Sequence, residues 1–147
     1  MRSHWLIALL SLALIAATRA DDAVDKDVQA FQGAWTLHSL ERDGKKTPEA
    51  EARKLRLTIR GHRFTLRKQD DILSEGSFVL DPGRRPKTID ETISSGPNKG
   101  KTYLAIYEID DHEHRICFAA FGQKRPAGFA APAGSGQLLQ VWKRAKK

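Results

Sequence analysis

Two histidines separated by one residue form the clearest pair of candidate metal ligands in the sequence. His112 and His114 lie within the acidic run 110–114, and in an extended segment both imidazoles would point to one side. Imidazole nitrogens suit zinc or copper, and a nearby carboxylate would add a ligand. A third strong ligand is not assured, because His38 and His62 are distant in the sequence. We therefore predict a solvated hairpin turn, with His112 and His114 as weak metal candidates only.

The residues that could act as nucleophiles or as paired acids lack the partners that catalysis requires. Cys117 is flanked by apolar residues, which predicts a buried thiol rather than a reactive one. Ser135 lies between two glycines in a predicted turn, without a His–acid pair at a recognisable spacing. Asp90 and Glu91 point to opposite faces of one predicted strand, so neither has a partner unless another strand supplies it. We predict no catalytic residues and no cofactor.

The first twenty residues have the three-part layout of a secretory signal peptide. A short basic start is followed by the predominantly apolar run 5–17 and by small residues before a cleavage point after Ala20. A membrane anchor is the alternative, but a bilayer span needs about 20 apolar residues. Because Cys117 is the only cysteine, no lipid-bearing cysteine follows the cleavage point. We predict a protein exported to the periplasm, cell envelope or medium, which does not span a membrane after cleavage.

Length and charge limit the possible organisation of the mature part. Residues 21–147 are enough for one domain and too few for two, and a single cysteine excludes an intramolecular disulfide. Loss of Arg2 and Arg19 with the signal peptide lowers the formal net charge from +7 to about +5. A basic surface permits binding to nucleic acid, anionic lipid or acidic polysaccharide. Export makes nucleic acid the least suitable of these partners, and ordinary solubilising charge is the simplest explanation.

The apolar residues repeat first with helical spacing and then with strand spacing. Val24, Val28 and Phe31 predict a short helix over 21–32 that ends at Gly33. Eight runs with a period of two follow. They predict strands over residues 33–40, 55–60, 63–67, 72–80, 87–93, 102–109, 114–120 and 137–144. A helical turn is expected at 50–54 and a bulge at Gly76. Because no βαβ alternation occurs, we predict an all-β antiparallel meander that forms a barrel or a sandwich.

The two binding functions that this architecture offers lie on opposite faces of the barrel wall. An eight-stranded barrel is either filled by side chains or keeps a cavity for one small hydrophobic ligand, with 121–136 as its lid. Alternation assigns seven side chains to this interior, namely Leu57, Phe64, Leu66, Phe78, Tyr103, Tyr107 and Phe118. The alternative is an interaction module whose outer face binds a protein or an anionic envelope polymer. Its basic residues are Arg56, Arg60, Arg63 and Arg67. An enzyme is the least favoured function.

Several short motifs resemble one family when they are taken together. They are FQGAW at 31–35, SLERDG at 39–44, PKTID at 86–90, GPNKGK at 96–101, IYEI at 106–109, ICFA at 116–119, RP at 125–126 with Phe129, and GSG at 134–136 with KR at 143–144. Over 28–144 the chain resembles the uncharacterised lipocalin-like domain family that is abundant in planctomycete bacteria. The resemblance implies an exported lipocalin-like barrel with no established activity or ligand. Ala105 departs from the family pattern, as does the turn 111–114.

Gly33 and Trp35, which are separated by one residue, also resemble the wider lipocalin pattern. In that pattern a tryptophan near the start of the first strand closes one barrel end beneath a basic residue of the last strand. The resemblance implies that Trp35 has this structural role, with Lys143 or Arg144 as its cation–π partner. We therefore interpret Trp35 as an end plug rather than as a contact of a ligand.

Overall fold

The computed structural model describes residues 4–147, with side chains from residue 17 onward. The predicted signal peptide, residues 1–20, lies partly outside the described residues. The first helix, α1 (His4–Phe31), contains the predicted helix and begins earlier, because neither glycine nor proline interrupts it. Gly33, with a φ of 106°, then turns the chain into the first strand. Among residues 4–147, no helix is both long and apolar enough to cross a bilayer.

The strands form one closed antiparallel barrel. They are β1 (Gly33–Arg42), β2 (Lys45–Lys46), β3 (Leu55–Arg60), β4 (Arg63–Lys68), β5 (Asp71–Asp81), β6 (Lys87–Ser95), β7 (Thr102–Ile109), β8 (Glu113–Phe118) and β9 (Leu138–Arg144). Each long strand pairs with its neighbour in sequence order, and β9 returns to pair with β1. The short β2 only extends β1, so eight strands close the barrel. The predicted fold class is confirmed, as is the helical turn, α2 (Glu49–Ala52).

Besides a register shift between Leu66 and Arg67 where β4 pairs with β5, two irregularities bend the strands and change which residues face inward. The register between β5 and β6 shifts at Gly76, as predicted, and a Cβ there would lie 2.7 Å from the Phe64 ring. In β1 a second shift lies between Leu37 and Ser39. Simple alternation from Leu37 would place Ser39 on the same face, but the bulge exchanges the two faces of the strand.

The C-terminal half of α1 closes one end of the barrel. Val28 and Phe31 are buried, and Val24 packs against the same core, which confirms the predicted apolar stripe of the helix. Phe31 reaches the rings of Phe78 and Tyr107, at centroid distances of 5.9 and 5.3 Å. These aromatic contacts make the helix end a plug, so only the opposite end of the barrel can admit a ligand.

Arg144 on the last strand holds this plug, the end of α1 around Phe31, against the barrel. Arg144 stacks over the Trp35 ring with its guanidinium carbon 4.1 Å from the ring centroid. The same guanidinium donates hydrogen bonds to the carbonyls of Gln32, Ala30 and Asp111. Trp35 in turn donates its indole N–H to the carbonyl of Phe31, and its side chain is fully buried. The predicted basic residue above Trp35 is thus Arg144, and the tryptophan has a structural role.

Candidate ligand-binding site

A cavity of about 380 Å³ occupies the end of the barrel away from α1. All eight long strands contribute to its wall. The aromatic members are Phe64, Tyr103, Phe118, Phe121 and Trp142, and the aliphatic members include Leu57, Leu66, Ile93, Ile116 and Leu138. The volume falls within the range of about 300–1,000 Å³ that is usual for small-molecule sites. The interior is therefore not filled by side chains at this end.

The structure brings five of the seven predicted interior residues to this cavity. Leu57, Phe64, Leu66, Tyr103 and Phe118 all line it. Because each lies in the inward phase of its strand, alternation was sufficient to identify them.

Phe78 and Tyr107 also point inward, but they do not line the cavity. Both are buried beneath Phe31, so they lie in the barrel interior as alternation predicted, but outside the cavity wall. Strand alternation distinguishes inside from outside but does not give the height of a residue along the barrel. That height depends on strand tilt and on the position of the helix.

Among the residues whose side chains the structure describes, Glu91 is the one acidic side chain that lines the cavity. It projects from β6 between its register neighbours Phe78 on β5 and Tyr103 on β7. Burial raises the pKa of the Glu91 carboxyl to about 8, and no neighbouring charge or hydrogen bond offsets that effect. The sequence indicates this inward position, because Glu91 occupies the same strand phase as Ile89 and Ile93.

The remaining polar groups lie around the mouth and along one wall. Gln140 accepts a hydrogen bond of 2.9 Å from the indole N–H of Trp142. Ser74 and Asn98 also border the cavity, as does the exposed side chain of Arg42. Arg42 reaches this face only because the bulge in β1 exchanges inward and outward positions. Sequence reasoning missed it for that reason.

The long segment between β8 and β9 covers the cavity only with its ends. Phe121 and Gly136 border the mouth. Between them, Arg125 forms a 2.7 Å ion pair with Asp90 on the outer wall. The Cys117 thiol donates to the carbonyl of Ala130 at 3.2 Å and is buried, as predicted. The predicted lid over 121–136 is therefore wrong for its middle part, which packs outside the barrel.

The two weak metal candidates do not share a face. His112 is exposed at the turn, whereas His114 is 1% exposed inside the plug. Their segment bends at residues 111–112 instead of remaining extended, so the alternation argument does not hold there. Among the described residues no cluster of three His, Cys, Asp or Glu side chains could hold a metal ion. The predicted common orientation of the two imidazoles is therefore wrong.

His114 is instead a neutral component of the aromatic plug. Its ring lies 4.4 Å from the Trp35 ring and 5.0 Å from the Phe31 ring, between centroids. Neither imidazole nitrogen has a hydrogen-bond partner in the described part of the chain. Burial, together with the positive charge of Arg144, lowers the pKa of His114 to about 3.

The four arginines of the predicted interaction face do lie together on the outer wall. Arg56 is opposite Arg67, and Arg60 is opposite Arg63, in the register of β3 and β4. All four are exposed, and the salt bridges between described residues include none of them. Three of them border an outer depression of about 520 Å³; Arg56 borders an adjacent one. The basic face is thus separated from the cavity by the barrel wall.

Comparison with known proteins adds no independent indication of function. No family model, no curated protein and no solved structure matches the chain. The resemblance to the planctomycete lipocalin-like family therefore stays a prediction. The cavity, its carboxyl group and the basic outer face are the features from which a function can be inferred.

Proposed function

We propose that this protein is a non-catalytic, exported binding protein that holds one small, mostly apolar molecule inside its barrel. The observation that carries the proposal is the cavity of about 380 Å³ with aromatic and aliphatic walls. Such walls gain free energy from a bound apolar group, at about 25 cal/mol per Å² of surface removed from water. The closed plug on the opposite side leaves one route of access, at the mouth.

The isolated carboxyl in the wall supports a binding function over a merely imperfect core. Glu91 is half-buried and has no described partner, so its carboxyl is partly removed from water at a cost in stability that an aliphatic residue would avoid. Ionisable groups that line a cleft and have pKa values shifted by desolvation are concentrated at functional sites. Asp27 provides a contrast, because this buried acid is satisfied by Tyr107 and Lys87 and has a structural role.

Filling the cavity from the protein side tests the proposal. Ser74 borders the cavity on β5, whereas Ser77 on the same strand is exposed on the outer face. We expect the neutral fluorophore N-phenyl-1-naphthylamine to bind the full chain with enhanced emission. Ser74→Phe should weaken this binding at least tenfold, whereas Ser77→Phe should change it less than twofold. Equal affinities in the two variants, or no binding to the unmodified chain, would refute the proposal.

The proposed export is supported by where α1 touches the barrel. The side chains of residues 17–23 are exposed, and Val24 is the first helix residue that packs against the core cluster. Cleavage after Ala20 would therefore leave the core contacts of Val24, Val28 and Phe31 in place. Mass spectrometry of the protein isolated from cells that produce the full chain should give the mass of residues 21–147. A mass that includes residues 1–20 would contradict the proposal.

The basic outer face supports a second candidate function, namely binding of an anionic envelope polymer. Like charges directly opposite each other on neighbouring strands are unfavourable, yet two such arginine pairs lie in register here. A polymer with repeated sulfate, phosphate or carboxylate groups would neutralise both pairs. The threonine pair Thr58–Thr65 between them adds hydroxyl donors.

Dextran sulfate serves as the probe for this second function. Replacement of Arg60 and Arg63 by glutamine should lower its affinity at least tenfold and flatten the dependence of affinity on salt. The matched control replaces Lys45 and Lys46, an exposed basic pair on β2. The control should reduce affinity less than twofold. Equal losses in the two double variants would show a non-specific charge effect and exclude a dedicated face.

A further inference from the structure

The cavity wall contains a half-buried carboxyl group that has no described partner and lies in register with two aromatic residues. Glu91 lies between Phe78 and Tyr103 on the two neighbouring strands. Burial is the only resolved cause of the shift in its pKa, because no described residue forms an ion pair or a hydrogen bond with the carboxyl. Trp142 and Phe118 belong to the same wall. A carboxylate among aromatic rings attracts an organic cation twice, through the opposite charge and through the electron-rich ring faces.

The other groups that face the cavity do not compete for this role. Apart from Glu91, the titratable or charged side chains of its wall are Arg42 on β1 and Tyr103 on β7. The wall residues from β3, β4, β5, β8 and β9 are uncharged. Arg42 is exposed at the mouth, where water and salt screen its charge. Among the described wall residues, Glu91 is therefore the group that can place a negative charge inside the cavity.

We propose that the ligand of this cavity carries a protonated amine, which pairs with Glu91 while its apolar part lies among the aromatic rings. The inference rests on the proposed binding function and specifies its ligand class. An alcohol would gain one neutral hydrogen bond at this position, whereas an ammonium group gains a charge-assisted bond in a low-dielectric site. An anionic ligand would face the same carboxyl with the wrong charge.

The proton held by Glu91 provides a signature of this pairing. With a pKa of about 8, the carboxyl of the empty cavity is mostly neutral at pH 7. A neighbouring cation favours the ionised carboxylate. When a protonated amine binds, the carboxyl proton passes to the buffer, and the ammonium keeps its own. Uptake of the ligand at pH 7 is therefore accompanied by the release of nearly one proton.

Three eight-carbon compounds that differ only in the head group test this inference on the full chain. Octylamine, octanol and octanoate are titrated calorimetrically at pH 7, in two buffers with different heats of ionisation. We expect octylamine to bind at least tenfold more tightly than octanol and to release close to one proton. Glu91→Gln should abolish both effects. Glu75→Gln, which removes a carboxyl from the outer face of β5, should leave both unchanged.

The outcomes separate the amine inference from the proposed function. Equal affinity for octylamine and octanol overturns the amine assignment, as does an ammonium preference that survives in Glu91→Gln. Preferential binding of octanoate also overturns it and points to Arg42 as the anchor. Failure of all three compounds and of the neutral fluorophore overturns the binding function itself.

Discussion

At the scale of single residues, the pKa values of two ionisable side chains inside the barrel are shifted by different surroundings. His114 is neutral because it lies among rings close to a guanidinium, and Glu91 holds its proton because nothing charged offsets its burial. The first belongs to the plug, and the second to the cavity. Each shift links stability to pH, in opposite directions.

His114 should make the folded protein sensitive to acid. The unfolded chain protonates this histidine near pH 6.5, whereas the folded chain does so only near pH 3. Stability therefore falls as pH decreases between these values, by up to about 1.4 kcal/mol per pH unit. His114→Leu should flatten this decline in urea unfolding measured between pH 7 and 4. His112→Leu changes an exposed neighbour and should keep the decline; equal slopes in the two variants would disprove the assignment.

Glu91 should have the opposite effect on the alkaline side. Its folded-state pKa of about 8 lies above the unfolded value of 4.5, so the folded protein binds the extra proton between these values. Stability due to this group is lost as pH rises from about 4.5 to 8. Glu91→Gln should become more stable than the unmodified chain at pH 8 but not at pH 5, by urea unfolding. Glu75→Gln is the control, and a pH-independent gain in Glu91→Gln would contradict the shift.

At the scale of elements, the contact between α1 and the barrel depends on one buried carboxylate. Asp27 accepts hydrogen bonds from Tyr107 on β7 at 2.7 Å and from Lys87 on β6 at 2.8 Å. Burial, strengthened by this carboxylate, raises the pKa of the Tyr107 hydroxyl above its ordinary value. The helix is thus connected to two strands by polar bonds as well as by its apolar stripe.

Removal of this connection should destabilise the whole barrel. Asp27→Ala leaves the buried Tyr107 hydroxyl and the Lys87 ammonium unpaired, and we expect a loss of about 2–4 kcal/mol in the free energy of unfolding. Tyr107→Phe removes only one bond and should cost about 1–2 kcal/mol. Asp25→Ala, on the exposed side of the helix, should change the value by less than about 0.5 kcal/mol. Similar losses in the two aspartate variants, by urea unfolding, would contradict the proposed connection.

Most elements were predictable because their signals are local. The alternation over 55–60 and 63–67 and the glycine at position 76 gave the right hairpin and the right bulge. The pairing of β1 with β9 left no local pattern, since it joins strands about a hundred residues apart. Arg42 was missed because the bulge near residue 38 changes the phase of β1, and neither glycine nor proline marks it.

At the scale of the whole molecule, the barrel has one closed and one open end, and the open end costs stability. The plug packs Trp35 and Phe31 to nearly complete burial, whereas the side chains of the cavity wall pack against the core on one side and border empty space on the other. Side chains beside a void lose dispersion contacts that a filled core would provide. The cavity therefore lowers the free energy of unfolding, and a side chain that fills it should raise that free energy.

Ser74→Phe should consequently stabilise the protein while it weakens ligand binding. The new ring enters the cavity and removes apolar surface from water, for an expected gain of about 1–2 kcal/mol in the free energy of unfolding by urea. Ser77→Phe places the same ring on the exposed outer face and should change this value by less than about 0.5 kcal/mol. A destabilised Ser74→Phe protein would show that the cavity cannot accept a phenyl ring at this position. The free space would then be smaller than the volume of about 380 Å³.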